Sequence, residues 1–425
     1  MAKTSRTPSP MLPLGFLATA AVAFGFAGLA LPWVAADLTG HYYHPRILAL
    51  AHTLTLGWIT LTILGASYQL VPVVLERSVW SERLGSWALA LTGLGVVGVV
   101  GHMAISSWSG LVWGAGLLAA GVTAHVINIA RTLRGLERWS FTAIMLAMGF
   151  LGLVLTTLFG AALSVEHIRP FLPGDFYARL HAHIHVALLG WVLPVVLGVS
   201  AHVYPMFLLT PRPGSRVLAI QAWGLALGVP AVVVGLLAAP TLAAAGALAV
   251  AASIATHVVW VASLLRGSRR PAFDWALRFL VAGAAYLAVA AALGVTLAFG
   301  AVSGPRWALT YGVLVLGGWA SLTIVGMMLK IVPFLVWYRV YAPRAGRLPV
   351  PGLADLRWPI TEAVAFIALT GGIAALAIGV GVGHAEAIRA AGAIVSVGTL
   401  AFVATIATML HHLVPCPLRA AARVS

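Results

Sequence analysis

Twelve long apolar runs divide this chain, and they constrain its fold more than any other feature. Each run has about 20 residues or more, the length with which an α-helix crosses the hydrocarbon core of a bilayer. A segment in lipid must satisfy its own backbone hydrogen bonds, so the sequence predicts an all-α membrane protein with twelve transmembrane helices. The chain is 61% hydrophobic and 8% charged, which excludes a soluble enzyme. The runs lie near residues 13–36, 46–74, 84–105, 110–130, 140–165, 178–209, 216–238, 242–265, 275–300, 307–338, 359–383 and 387–414.

A motif in the second, sixth and tenth runs is repeated three times. Its copies occupy residues 52–72, 185–205 and 313–333, and they begin 133 and 128 residues apart. Each copy has a Gly-Trp pair, a glycine seven residues after the tryptophan and a proline seven residues after that glycine. Positions seven residues apart share one helix face, and a small residue beside a large one makes a close helix–helix seam. We therefore expect this stripe to serve packing.

A second similarity relates residues 124–135 to residues 256–267, at an offset of 132 residues. Internal similarity over this distance predicts a repeated multi-helix unit. The fold class that we expect has three pseudo-symmetric four-helix repeats within a single membrane domain. We place the domain at residues 1–425 and the repeats at approximately 13–138, 139–270 and 271–418.

Basic residues are distributed unequally between the two sides that alternating loops define. Nineteen Arg and Lys residues fall on the side of the two termini, and five fall on the opposite side. Because Arg and Lys mark the cytoplasmic side, we expect a bacterial-type inner (cytoplasmic) membrane protein with both termini in the cytoplasm. The net charge of +15 is then a topology signal, so we expect anionic membrane lipid, and no nucleic acid, as a partner. The single cysteine, Cys416, excludes an internal disulfide.

Histidine is present at matching positions in two of the three motif copies. His52 and His185 begin the first and second copies, whereas Val313 takes that position in the third. Both histidines are expected about 10–14 Å below the outer surface, from the rise of an α-helix. An ionisable side chain at that depth is costly and marks a functional candidate, and imidazole is a common ligand of haem iron. We expect His52 and either His183 or His185 to bind haem b; the alternative is a histidine bonded to a backbone carbonyl.

Three histidines alternate along the start of the sixth run, at positions 181, 183 and 185. Residues four apart share a helix face, while the residue between them points about 200° away. His181 and His185 are therefore expected at one site and His183 at another. A copper site at His181 with His41 or His44 is a second expectation, and solvated histidines are the alternative.

A second symmetric pair, His125 and His257, lies nearer the cytoplasmic side. We expect either a further cofactor or quinone headgroup there, or a purely structural role. His202 and Lys330 occupy equivalent motif positions near helix ends, where long polar side chains reach towards water. No carboxylate falls at mid-membrane, and no haem-attachment CxxCH sequence occurs, so any haem would be held non-covalently.

The twelve helices in three arcs, the cytoplasmic termini and the outer-leaflet histidines resemble the catalytic subunit of haem–copper oxidases and nitric oxide reductases. In that family the helix 2 histidine binds the low-spin haem, at the place of His52. The helix 6 histidine binds copper, at the place of His181 or His185. The family's helix 7 His-His pair and helix 10 His-x-His are missing, because residues 216–238 contain no histidine and Val313 stands at the motif position.

A local stretch is similar to NnrS-type haem- and copper-containing membrane proteins, which are linked to relief of nitric oxide stress. The similarity rests on the His183-Ile-His185 pair and on the Gly-Trp, Gly and Pro rhythm that follows it, with Val186 in place of an acidic residue. These resemblances imply a haem-dependent oxidoreductase that binds or reduces NO or O2, or passes electrons to a cytochrome c-like or other respiratory subunit. The alternatives are a metal-free scaffold or assembly subunit of a respiratory complex, and a transporter.

Overall fold

A computed structural model describes residues 9–75 and 77–414. Over these residues the chain forms twelve helices that are long and apolar enough to cross a membrane, and it contains no strand. The predicted all-α, twelve-span architecture is therefore confirmed. Cys416 and the terminal basic residues used to assign the topology lie outside the described residues. The helices are α1 Met11–Ala30, α2 Pro45–Pro72, α3 Glu82–Ala104, α4 Trp108–Leu133, α5 Phe141–Glu166, α6 Phe176–Leu208, α7 Ser215–Ala238, α8 Pro240–Gly267, α9 Trp275–Ala298, α10 Pro305–Val340, α11 Pro359–Val382 and α12 Ala385–His411.

The helix starts follow local sequence signals. Four helices begin with proline, whose fixed backbone angle suits the first turn and whose missing N–H would have no partner there. Ser81, Ser140, Asp175 and Asp274 each accept a hydrogen bond from the backbone N–H three residues on, which caps α3, α5, α6 and α9. The first apolar run was expected to stay helical to residue 36, but α1 ends at Ala30 and turns follow it.

The helices form a closed ring of neighbours around three central ones. The pairs α3–α4, α7–α8 and α11–α12 are close hairpins. The contacts α4–α5, α8–α9 and α12–α1 join these groups and close the ring. The motif helices α2, α6 and α10 meet in the middle, where the indole N–H of Trp58 donates to Ser321 Oγ at 3.1 Å and that of Trp191 donates to Thr60 Oγ1 at 3.2 Å.

The glycine of each motif copy lies on a tight helix–helix seam, as the sequence predicted. A methyl group on Gly65 would stand 2.5 Å from Cβ of Phe16 on α1. A methyl group on Gly198 would stand 2.6 Å from Cβ of Met145 on α5. The third glycine, Gly326, is equally close to the α9 backbone. The same seam therefore joins α1 to α2, α5 to α6 and α9 to α10.

Each motif helix also contains a π-helical segment at the same place. The segments are Thr53–Thr60 in α2, Val186–Val192 in α6 and Val313–Ser321 in α10. A π-turn widens the helix locally and occurs often beside functional sites. The sequence analysis treated these helices as regular α-helices, so it missed this feature. The segments begin directly after His52, His185 and Gly312.

The loops divide the bundle into two ends. The histidine end holds the loops 31–44, 105–107, 167–175 and 299–304, and the arginine end holds the loops 134–140, 209–214, 268–274 and 341–358. At the histidine end Glu166 and Arg179, both buried, form an ion pair of 3.0 Å. Arg179 also donates to backbone carbonyls of residues 172–174, so it closes the α5–α6 loop onto the bundle.

A charge network occupies the arginine end. Asp274 pairs with Lys330 and with Arg357, and Arg357 also pairs with the buried Glu362. Lys330 is therefore bound to a carboxylate, beyond the reach towards water that the sequence predicted. Burial alone would raise the pKa of Asp274, but the hydrogen bonds from Lys330 and the Leu277 N–H, together with the two cations, outweigh burial and lower it.

Candidate functional site

A cavity of about 850 Å3 opens among the three motif helices towards the histidine end. Its volume falls within the range of pockets that hold small molecules and cofactors. The lining is almost wholly apolar, and within the described part of the chain no Asp, Glu, Lys or Arg contributes to it. Histidines supply most of its chemistry, and those found in the lining are His41, His52, His167, His181, His183 and His185.

His52 and His185 are held in the same way. The Nδ1–H of His52 donates to the carbonyl oxygen of Leu48 at 2.8 Å, and the Nδ1–H of His185 donates to the carbonyl oxygen of His181 at 2.8 Å. A carbonyl only accepts, so each Nδ1 carries the proton and each Nε2 keeps its lone pair. Neither Nε2 has a hydrogen-bond partner among the described residues. The bond to a backbone carbonyl therefore orients a ligand nitrogen towards the cavity.

His183 lies on the opposite side of α6 from His185, as the two-residue spacing predicted. Its ring meets the edge of Phe159 at a centroid distance of 5.9 Å and packs over Gly160. The Nδ1 atom of His183 is buried and has no hydrogen-bond partner in the described structure. The imidazoles of His183 and His52 are close enough to interact electrostatically. The fold thus brings His52 of α2 and His183 of α6 to one part of the cavity.

His185 faces a different neighbour, Tyr311 of α10. The two rings are nearly parallel, with an interplanar angle of 18° and a centroid distance of 6.3 Å. Tyr311 was missed by the sequence analysis because it contains no imidazole. The register would have found it, since residue 311 lies 128 positions after His183, the same step that relates His185 to Val313.

The cavity lining falls into three sectors, each defined by the motif helices that flank it. The first sector has His52 and His183 with side chains of α3, α4 and α5. The second has His185 and Tyr311 with side chains of α7, α8 and α9. The third has Leu50 and Val313 with side chains of α11, α12 and α1. In motif register, each pair combines the position of His185 in one copy with that of His183 in the next.

Aromatic rings and histidines close the cavity at the histidine end. Tyr42 Oη lies 2.9 Å from Nε2 of His181, and Tyr43 Oη lies 2.7 Å from Nε2 of His167. The His167 ring stacks on Trp108 at 4.3 Å. Burial raises the pKa of Tyr43 to about 12 and also raises that of Tyr42. Burial lowers the pKa of His167, although the charge of Glu166 opposes this. All three groups therefore remain neutral near pH 7.

The residues expected at a copper site are only partly brought together. His41 stacks on Tyr42 at 4.2 Å and interacts electrostatically with His181. His44 turns away and lies 3.7 Å from Asp37. The side chains of His181 and His185, expected at one site, have separate neighbours. No group of three or more His, Cys, Asp or Glu side chains suited to one metal ion occurs within residues 9–75 and 77–414.

The second symmetric histidine pair lies outside the cavity. His125 is fully buried, with Nε2 3.1 Å from Ser67 Oγ and the rings of Tyr68 and Phe150 beside it. His257 is also buried and contacts two aromatic rings of its own surroundings. Each has a buried Nδ1 without a partner among the described residues. Their expected role in binding a cofactor stays a prediction, and the structure gives them no share in the cavity lining.

Comparison of the sequence with protein-family models and with curated proteins gives no match. The class of protein is therefore defined by the architecture, which is that of a helical multi-pass membrane protein. Large apolar side chains on its outer surface are strongly exposed, Trp33 by 84% and Trp113 by 79%, and they suit contact with membrane lipid.

Proposed function

We propose that the chain is a b-type haem protein in which His52 and His183 are the two axial ligands of one haem. The observation that carries this proposal is the convergence of both imidazoles in the first sector of a cavity without charged side chains. The proton on Nδ1 of His52 leaves Nε2 free to bind iron, and the unpartnered Nδ1 of His183 marks an imidazole that the protein alone does not satisfy. Both features fit a ligand that the site awaits.

The surroundings of the two histidines suit the porphyrin as well. Leu118, Val122 and Leu153 supply an apolar wall in the first sector. No cation lines the described cavity, so the hydroxyls and imidazoles at its mouth are the polar groups available to the haem carboxylates. When bound between two imidazoles, haem supplies one-electron redox chemistry and leaves no iron position open to a gas. The first sector would thus carry electrons, in respiratory or nitrogen-oxide metabolism, to or from a partner protein at the histidine end.

The architecture and orientation belong to the same proposal. Three π-helical segments, three glycine seams and three equivalent hairpins support three four-helix repeats, the arrangement of the haem–copper oxidase subunit that the sequence resembles. The arginine end holds the loops with most of the described cations, which supports a cytoplasmic location of that end and of both termini. The haem would then lie in the outer leaflet of a bacterial-type inner membrane.

An optical and magnetic spectrum of the purified protein tests the haem proposal. The detergent-solubilised protein is measured oxidised and dithionite-reduced, with the haem quantified as its pyridine complex and its spin state by electron paramagnetic resonance. We expect a low-spin ferric signal that His52→Ala and His183→Ala each remove. Leu50→Ala is the matched control, because residue 50 is the register equivalent of His183 in a sector without imidazoles.

A purified protein without stoichiometric haem would contradict the proposal and favour the metal-free scaffold. A low-spin signal that survives both histidine variants would place the ligands elsewhere, for example at His125 and His257.

A further inference from the structure

His185 repeats the construction of His52 in every respect that the structure shows. Both end the α-helical turn before a π-helical segment, both donate Nδ1–H to the carbonyl four residues earlier at 2.8 Å, and both line the cavity. If this construction prepares Nε2 of His52 for iron, the same physical reasoning applies to Nε2 of His185.

The two imidazoles serve different sectors of the cavity. His183 is the side chain of α6 that approaches His52, and His185 is on the other side of that helix, with Tyr311 as its ring neighbour. Apolar side chains of α7, α8 and α9, among them Val232 and Ile254, line the second sector. One planar group therefore cannot occupy both sectors with the same axial pair.

The second sector lacks a second imidazole. The register position that holds His183 in the first sector holds Tyr311 in the second, so a phenol replaces the second iron ligand. A phenolate is strongly disfavoured where the described lining contains no cation, so the phenol keeps its proton and is a hydrogen-bond donor. Its hydroxyl has no hydrogen-bond partner among the described residues.

From these observations we infer that the second sector binds a second haem through His185 alone, with an open iron position for a small diatomic gas. Tyr311, beside that imidazole, provides the hydroxyl that is free to donate a hydrogen bond to a polar gas ligand. The inference rests on the proposed function, since it takes the first haem as established. It divides the two tasks between the sectors: electron transfer at His52 and His183, and gas binding at His185.

The experiment counts haem and adds carbon monoxide to the reduced, full-length protein. We expect two haems per chain, one low-spin and one high-spin in the ferric state, and carbon monoxide binding by half of the reduced haem. His185→Ala should remove the high-spin signal and carbon monoxide binding and should leave the low-spin signal. His52→Ala should do the reverse. Val313→Ala, at the register equivalent of His185, is the matched control and should change neither signal.

The outcomes separate the two proposals. One low-spin haem per chain, unchanged in His185→Ala, would overturn this inference and leave the proposed function intact. Two low-spin haems would also overturn it, because no iron position would be open. A protein without haem would overturn both.

The hydroxyl of Tyr311 has its own readout. In Tyr311→Phe the haem content should stay at two, and the C–O stretching band of the carbon monoxide complex should move to higher wavenumber, because a hydrogen bond to the bound gas is lost. An unchanged band would show that the hydroxyl does not reach the iron ligand. Loss of the second haem in this variant would show instead that Tyr311 is an iron ligand, and the open position would be refuted.

Discussion

Gly152 places the backbone of α5 directly against the π-helical segment of α6, five residues after His185. A methyl group at this position would lie 2.0 Å from the carbonyl oxygen of Gly190, 2.3 Å from its carbonyl carbon and 2.8 Å from the nitrogen of Trp191. Ordinary contact begins at 3.4 Å, so α5 and α6 must separate by about 1.4 Å, the difference between 3.4 and 2.0 Å. The obstacle is backbone on a neighbouring helix, which cannot rotate aside as a side chain can.

We therefore expect Gly152→Ala to destabilise the folded bundle by about 3 kcal/mol, the upper end of the cost of overpacking. That cost corresponds to about two orders of magnitude in the unfolding equilibrium. The assay is thermal unfolding in detergent, followed by tryptophan fluorescence. The control is Gly116→Ala on α4, where a methyl group would have nothing within 4 Å. Alanine favours a helix over glycine, so the control should be neutral or slightly more stable.

The same variant tests whether α6 positions the haem ligands. A displacement of α6 moves His183 and His185 relative to α2 and α10, so we expect Gly152→Ala to lose haem at a temperature where the Gly116→Ala protein retains it. Equal unfolding temperatures for the two variants would refute the close approach of α5 and α6 on which this reasoning depends.

Three further predictions concern the polar contacts of the bundle. Asp274→Asn should destabilise the protein by about 1–2 kcal/mol at pH 7. Since the folded pKa of Asp274 is lowered, this difference should be full above the ordinary pKa near 3.8 and should vanish as the pH falls through the folded value, and an unchanged difference at pH 3 would contradict the pairing. Because burial lowers the pKa of His167, its contribution should be full above about pH 6.5 and should be lost on acidification, so His167→Gln should flatten the stability profile between pH 7 and 5. Trp58→Phe and Ser321→Ala should each lower the unfolding temperature, with a coupling of about 0.6 kcal/mol in the double variant; strictly additive effects would show that their hydrogen bond does not contribute.

The spans were predictable because the bilayer imposes one length and one composition on every helix. Proline and capping residues then mark where the helices begin, as at Pro45 and Ser81. The sequence analysis was wrong about the end of α1, because residues 31–36 are apolar enough to extend the run and yet lie in turns. Hydrophobicity reports contact with an apolar phase, and it does not distinguish a helix from a turn packed beneath a loop.

The candidate site was predictable only in part. Motif register placed His52 and His185 at the same depth, and helix periodicity separated His183 from His185. It did not show that His183 turns to His52, because that contact joins α2 to α6 and depends on which helices are neighbours. Tyr311 was missed for the same reason, since a tyrosine is common in apolar helices until the fold sets it beside an unpartnered imidazole.

The sequence by itself determined the twelve helices, the glycine seams and the presence of histidine in only two of the three motif copies. These features follow from periodicity and composition, which act within one helix or between residues of fixed spacing. Only the tertiary structure decided that His52 pairs with His183, that His185 pairs with Tyr311, and that His125 stands apart from the cavity. The reason is physical: a ligand site is made by side chains that converge from different helices, and their convergence depends on the packing of the whole bundle.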